Sequence, residues 1–459
     1  MSLARRSMFA AVFLGLAAGP ALAQESDADR LRKLEEQVRK QQEEIDGLKK
    51  APPVVAVSPN DGLRLKSADG NLDIHVGGRF QEHYRAILDR PDASRTNPDT
   101  FFVRAARLKV DGTFYKDWGF QVEGDFPSSA TGPAPTLQSA YVEWKKLKEF
   151  RITVGQFKAP MSQERLRSRL YSDFVEDSML TRFVPGYDIG IQASGQVAAG
   201  VLGYQVAVID GRSHLDNAGR SRQDDNDEKE YVARITVSPW IMDKESFLKG
   251  LRIGFSGSVT DVDDVPITGA ATITNFDLST PELAVTFLDP TTAAGTVNLD
   301  GRRTRMGAEL SWAVGPACLR AEYLLRKDEM VNGALKETVP TKAWSLALTW
   351  IVTGEEKNPE SRIVPEHPFD VDGGWGAIEL ALRLAGAEVG NEIEDVGVSL
   401  AGQSREVKSL TAGVNWWLVR NVRISANIVR EDYGDKIAFG GGRDEDVLLG
   451  WLMRFQIDF

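Results

Sequence analysis

The chain of 459 residues reads as an all-β protein: a 16-stranded antiparallel transmembrane β-barrel preceded by a short N-terminal coiled-coil helix. Three observations predict it. From Leu72 onward sixteen strand-like segments follow one another, most near the length at which a tilted strand crosses a bilayer. Their connections alternate in length. Lys116-Asp117, Leu147-Lys148, Ala198-Ala199, Gly315-Pro316 and Val419-Arg420 are tight, whereas 90–99, 127–136, 158–186, 210–228, 262–302, 328–340, 386–404 and 433–445 are long. Short turns at one end and long loops at the other mark outer-membrane barrels. The final segment places Trp451, Met453, Phe455, Ile457 and Phe459 on one face, and Leu452, Arg454, Gln456 and Asp458 on the other. A soluble β-sandwich would show strands of about five or six residues without alternating connections.

Residues 1–23 read as a secretory signal peptide. Arg5 and Arg6 precede an apolar run from Met8 to Ala18, and Ala21-Leu22-Ala23 supplies the small residues for cleavage after Ala23. That run is too short to span ~30 Å of hydrocarbon. Residues 24–50 form the coiled-coil segment: Leu31, Leu34, Val38, Gln41, Ile45 and Leu48 step by heptad a and d spacing. Three heptads are marginal alone and need a larger body to hold the helices together. Residues 51–71, opening with Pro52, Pro53 and Pro59, are expected as a linker, and the barrel domain spans 72–459.

Composition excludes several classes. A net charge of −11, with no basic block carrying interleaved aromatics, argues against nucleic acid. Cys318 stands alone, so no intramolecular disulfide forms, and the four His (75, 83, 214 and 367) lack metal-ligand spacing. His83 shares the inward parity of His75, but no serine motif accompanies them, so neither catalysis nor a cofactor is expected.

The chain is organised around Phe150 to Val197. Ile152 and Val154 face one way, and Arg151, Thr153 and Gly155 the other. The connection that follows carries Lys158, Arg165, Arg167 and Arg169 against Glu164. It reads as a loop folded inward to constrict a pore, because long connections in compact folds are usually functional or disordered. The three arginines would share a side in an extended loop and splay in a helical turn. Strand parity points Arg79, Arg85, Arg107, Lys109, Arg151, Arg234, Arg252, Arg303, Arg305, Arg320, Arg326, Arg383 and Arg423 inward. Inward acids are fewer, with Asp111, Glu309, Glu322 and Glu379 the clear cases. Acidic positions such as Asp224, Asp225, Asp227, Glu228, Asp261, Asp263 and Asp264 fall in outer loops. An arginine-lined wall attracts anions and replaces part of their hydration with directed N–H donors. The candidate anion path is Arg79, Arg107, Lys109, Arg151, Lys158, Arg165, Arg167, Arg169, Arg303, Arg305 and Arg320.

Several strings resemble the phosphate-selective porin O/P family. They are Val154-Gly155-Gln156-Phe157-Lys158-Ala159-Pro160, Phe174-Val175-Glu176, and Pro185-Gly186-Tyr187-Asp188-Ile189-Gly190-Ile191-Gln192. The resemblance continues in Phe102 to Gly112, Ala140 to Trp144, Thr353-Gly354-Glu355, Gly374 to Ala377, and around Trp416-Trp417 and Arg423. It implies a trimer of 16-stranded barrels that passes phosphate or polyphosphate along an arginine ladder to a lysine near the third loop. It also implies that the periplasmic segment 354–373 folds into the pore. Arg104 falls where the family has an arginine pair, with Ala105 in the second place. Regular parity aims Arg104 at lipid unless a bulge or a subunit interface intervenes. Met161-Ser162-Gln163-Glu164 and Glu176-Asp177 depart from the family pattern, which predicts anion preference without strict phosphate selectivity.

The expected function is therefore a trimeric, water-filled diffusion channel of the bacterial outer membrane with anion preference. The alternatives are a non-selective general porin, or a barrel serving mainly as a cell-wall tether through its coiled coil. The expected partners are small anions such as phosphate, outer-membrane lipid and lipopolysaccharide, two further copies in a homotrimer, and the cell wall.

Overall fold

The computed structural model describes residues 27–50, 54–58, 62–88, 99–126, 136–211, 227–267, 278–289, 297–440 and 443–459. The expected signal peptide with its cleavage site, and Asp224 and Asp225, lie outside the described residues. The chain falls into two units, Met1–Pro52 and Pro53–Phe459. In the first, α1 (Asp27–Lys50) covers the heptads as one helix. Its Leu31, Leu34 and Val38 are exposed, and Lys40–Glu36 and Arg39–Glu43 pair at i,i+4 spacing.

The second unit opens with a hairpin, β1 (Val54–Ser58) and β2 (Gly62–Lys66), where a linker was expected. β2 pairs with β3 (Leu72–Ile87) from Lys66↔Asp73 to Leu63↔Val76. That stretch of edge is open because the C-terminal strand reaches only to Arg79, so a short alternating segment can add to it. Then follow β4 (Thr100–Phe114), β5 (Trp118–Asp125), β6 (Thr136–Trp144), β7 (Arg151–Lys158), β8 (Tyr187–Val197), β9 (Leu202–Ile209), β10 (Glu230–Val237) and β11 (Leu251–Pro266). A small ladder, β12 (Leu278–Ser279) with β13 (Thr286–Leu288), stands apart from the wall. The wall resumes as β14 (Asn298–Val314), β15 (Ala317–Asn332), β16 (Leu335–Ile351), β17 (Ala377–Val389), β18 (Glu406–Val419), β19 (Val422–Gly440) and β20 (Arg443–Asp458).

Among the described residues sixteen strands, β3–β11 and β14–β20, pair antiparallel in chain order. β20 closes the ring on β3, from Gly450↔Ile87 to Asp458↔Arg79. Phe459 completes the seam through paired backbone bonds with Gly78 at 3.0 and 3.1 Å. A Cβ on Gly78 would come within 2.8 Å of the Phe459 ring, so glycine is required there.

Alternation sets the two faces. On β17 Leu380, Leu382 and Leu384 are exposed while Glu379, Ala381 and Arg383 are buried. Ile189 and Ile191, Val206 and Val208, and Leu346 and Leu348 repeat the pattern as an outward apolar belt. The loop expected at 262–302 is shorter than it reads, because β11 runs to Pro266 and β14 starts at Asn298. Asp261, Asp263 and Asp264 therefore lie on a strand, and Asp261 pairs with Arg302 at 3.3 Å.

Candidate functional site

Three segments leave the wall and fill much of the lumen. The first, 159–186, is the expected constriction loop. It begins after Gly155, whose φ of +127° and close approach to the Ala140 carbonyl exclude a side chain. Met161, Val175, Leu180 and Phe183 bury a hydrophobic core inside the barrel. The loop leans on the β14–β20 half: Gln163 Nε2 donates to the Leu310 and Ala321 carbonyls at 2.9 and 3.2 Å. Val175 N donates to Asn427 Oδ1 at 2.7 Å, and Arg423 to the Ser172 carbonyl at 2.7 Å.

The second segment was missed by sequence reasoning. Residues 278–289 fold inward, burying Leu283, Val285, Phe287 and Leu288. Glu282 accepts from Arg383 Nη2 at 2.8 Å and Thr411 Oγ1 at 2.6 Å. Its apolar residues, adjacent to a buried acid, carry no periodicity that would separate an inward loop from an outward one. The third segment, 352–376, folds into the pore as the resemblance implies. Its Lys357 Nζ reaches Asp173 Oδ1 at 2.7 Å and also pairs with Glu379, while Arg362 pairs with Asp458. Ile363 packs with Ile351, Ala377 and Trp417.

Asp173 is the hub where loop, turn and wall meet. Its carboxylate takes Arg167 Nη1 at 3.2 Å, Lys357, and Arg320 from β15. Arg167 also donates to the Tyr171 carbonyl at 2.6 Å. Lys158 donates to three carbonyls, of Arg165, Leu166 and Arg167, at 2.7, 3.3 and 2.7 Å. Its three protons are thereby used in fastening the end of the helix Gln163–Leu166, where a cation meets the partial negative charge of the free carbonyls.

Arg104 turns into the lumen through a bulge. The β3–β4 register shifts between Gln81↔Ala105 and Glu82↔Val103, and Arg104 Nε bonds Glu176 Oε1 at 3.0 Å. His83 Nδ1 meets the same oxygen at 3.0 Å, and its Nε2 accepts from Arg454 at 2.9 Å. The imidazole is thus fixed with its proton on Nδ1. Burial raises the proton affinity of Glu176, but Arg104 and His83 outweigh it and hold the carboxyl well below the usual range. Asp177 is lowered likewise: burial opposes ionisation, and Arg169 and Arg165 overcome it. Lys357 is brought down to about 8, chiefly by burial, with Glu379 opposing.

The open part of the lumen is a cavity of ≈590 Å³ between the loop and the β3–β9 half of the wall. Of the expected path, Arg79, Arg107, Lys109, Lys158, Arg165, Arg167 and Arg169 line it. Arg303, Arg305 and Arg320 stand on the β14–β15 wall outside its lining, paired with Asp328, Glu230 and Asp173. Arg151 is also outside the lining. The loop and the two other inward segments occupy that half of the barrel, which strand parity does not reveal. Eight Lys and Arg line the cavity against four Asp and Glu, with Arg362 the basic residue that sequence reasoning did not place there.

The wall carries more acid than parity suggested. Glu123 pairs with Arg79 at 3.4 Å and Arg107 at 3.1 Å, and Asp125 with Arg107 at 2.7 Å. Asp111 takes Lys109 at 2.8 Å, and Asp177 takes Arg169 at 2.8 Å. Arg165, Arg167 and Arg169 therefore share the cavity while Arg167 and Arg169 engage different acids. A short helix followed by a 3-10 turn at Arg169–Tyr171 splays them.

A closed sixteen-strand barrel with an apolar outer belt and a loop folded into a polar lumen defines a porin of the bacterial outer membrane. The chain belongs to the phosphate-selective porin O and P family, whose profile matches residues 74–459. It is 24% identical over 429 residues to Porin O of Pseudomonas aeruginosa, covering 88% of this chain and 92% of that protein. Among solved structures it is similar to an anion-selective porin from Comamonas acidovorans, at 12% identity and a TM-score of 0.51 over 84% of this chain and 99% of the other. It is also similar to OprB of Pseudomonas putida, at 9% identity and a TM-score of 0.54 over 84% and 94% of the two chains. At these identities the solved structures speak to the fold.

Proposed function

We propose that this porin is an anion-preferring diffusion channel that works as a homotrimer, with small anions such as phosphate among its solutes. The observation that carries the reading is the excess of eight basic over four acidic side chains around the lumen cavity of ≈590 Å³. Cations fixed around a narrow passage raise the local anion concentration, most strongly where low-dielectric walls focus the field. Membership of a family described as phosphate-selective supports the same direction. The acids behind Arg107, Lys109 and Arg169 favour a second reading, a general pore whose charges cancel. The zero-current potential across a planar bilayer in a KCl gradient separates the two. Anion preference gives the sign of chloride permeation, and a general pore gives a value near zero. A trimer expects the detergent-solubilised species to run at three times the monomer mass, and a monodisperse monomer at all concentrations contradicts it.

A further inference from the structure

We infer that the periplasmic turn Ser238–Gly250 is a membrane anchor, seated among the phospholipid headgroups of the periplasmic leaflet with its lysines on the lipid phosphates. The inference concerns the outside of the barrel and stands apart from anion preference.

The turn joins β10 to β11 at the end of the barrel where the 198–200 and 315–316 turns also lie. Val237 pairs with both Leu202 and Ile253, and Leu251 with Trp312. Those neighbouring turns reverse the chain within a few residues, whereas this one is extended into a folded unit. Asp243 N, Ser246 N and Lys249 N donate in succession to the carbonyls of Trp240, Asp243 and Ser246 at 2.9, 3.3 and 3.1 Å. Asp243 Oδ1 also accepts from the amides of Glu245 and Ser246, both at 3.2 Å. The backbone is thereby braced on itself, and Trp240, Ile241, Met242 and Phe247 are left between 37% and 66% exposed. Apolar side chains exposed together, rather than singly, mark a contact surface.

Height on the barrel and charge together identify what covers them. Trp312 faces outward on β14, in the same row as Trp118, Trp144, Trp350 and Trp416, each close to a turn at this end. Outward aromatics ringing a barrel mark the headgroup level. Trp312 Nε1 donates to the Phe247 carbonyl at 3.0 Å, and the two rings meet edge to face with centroids 5.9 Å apart. The turn is therefore fastened to the outer surface of the wall at that level, and does not fold into the lumen as 352–376 does. Lys244 and Lys249 are exposed, and their ammonium groups have no partner among the described residues. Cores of protein interfaces are depleted of lysine, because a buried unpaired charge is costly. At a bilayer surface a lysine lays its stem along hydrocarbon and carries its ammonium to the phosphates. Glu245, exposed beside them, matches the amine of a zwitterionic headgroup. A phospholipid surface thus satisfies the apolar and the charged side chains of the turn at once, which a second subunit would not.

The test uses the full-length porin reconstituted in vesicles of phosphatidylethanolamine and phosphatidylglycerol. A nitrobenzoxadiazole fluorophore is attached through maleimide to Ile241→Cys, to Met242→Cys, and to Val371→Cys as the water-facing reference, since Val371 is 90% exposed. Cys318 is buried, so the natural protein serves as the labelling blank. Two positions in the turn keep the test decisive where one substitution disturbs folding. The expected result at both is loss of the quenching by aqueous iodide seen at Val371, with quenching by a phospholipid spin-labelled near its headgroup stronger than by one labelled at the acyl end. Iodide quenching equal to that at Val371, without lipid quenching, leaves the turn in periplasmic water and overturns the inference. Protection from iodide without quenching by either lipid places the turn against protein, another subunit included, and overturns it as well. Stronger quenching by the deep label contradicts seating at the headgroups.

Discussion

Asp173 shows how one residue can decide the shape of the pore. It is 1% exposed and gathers Arg167, Arg320 and Lys357 from three different elements. Replacing it by Asn leaves three buried cations short of a counter-charge, and removing one partner of a buried ion pair costs about 3–5 kcal/mol. Asp173→Asn should therefore lower the temperature at which the folded, heat-modifiable form is lost in detergent, whereas substitution of the exposed Asp261 should leave it unchanged. Lys357 gives a pH dependence with a definite sign. Its pKa of about 8 means that the ammonium present at pH 7 is mostly lost at pH 9. Lys357 stands outside the cavity lining, so losing its charge acts through Asp173, which it shares with the cavity residue Arg167, and should move selectivity toward cations as pH rises. Zero-current potentials at pH 7 and pH 9 should show that shift in the natural protein and not in Lys357→Met. A shift of equal size in the variant assigns the titration elsewhere.

Among elements, the wall was legible in the sequence and the filling only in part: the loop 159–186 and the segment 352–376 were expected inside, and 278–289 was not. Alternation such as Leu380, Leu382 and Leu384 against Glu379, Ala381 and Arg383 is a local property, so strand number and most boundaries follow from it. The bulge at Arg104 is not local: it depends on the register with β3 and on Glu176 waiting inside. Nor does the chain announce that 278–289 folds inward, since Glu282 finds Arg383 and Thr411 only once the barrel has closed. The same limit applies to the anion path. Parity put Arg303, Arg305 and Arg320 in the lumen, but the segments that cover that wall come from elsewhere in the chain. If 278–289 narrows the passage, replacing residues 280–287 by a short Gly-Ser linker should raise single-channel conductance without reversing the sign of selectivity. Unchanged conductance would place the segment away from the conducting route. The helix α1 makes a separate prediction. Its exposed Leu31, Leu34 and Val38 want a partner helix, so removing residues 27–50 should weaken assembly and leave conductance intact.

At the scale of the whole molecule, a chain with a net charge of −11 surrounds a cavity with twice as many bases as acids. Net charge governs solubility and long-range encounter, whereas permeation responds to the charges within a Debye length, ~10 Å at 0.1 M salt. The constriction loop supplies three of the cavity's cations, so anion preference depends most on this loop. The measurement that tests it most directly is the zero-current potential of single channels in a KCl gradient at low salt. It compares the natural protein with one in which Arg165, Arg167 and Arg169 are all Ala. Chloride preference is expected in the first, a shift toward potassium in the second, and a difference that shrinks as salt rises. An anion-to-cation ratio left unchanged by the triple substitution, with conductance alone altered, would contradict it and reduce the three arginines to fasteners of the loop.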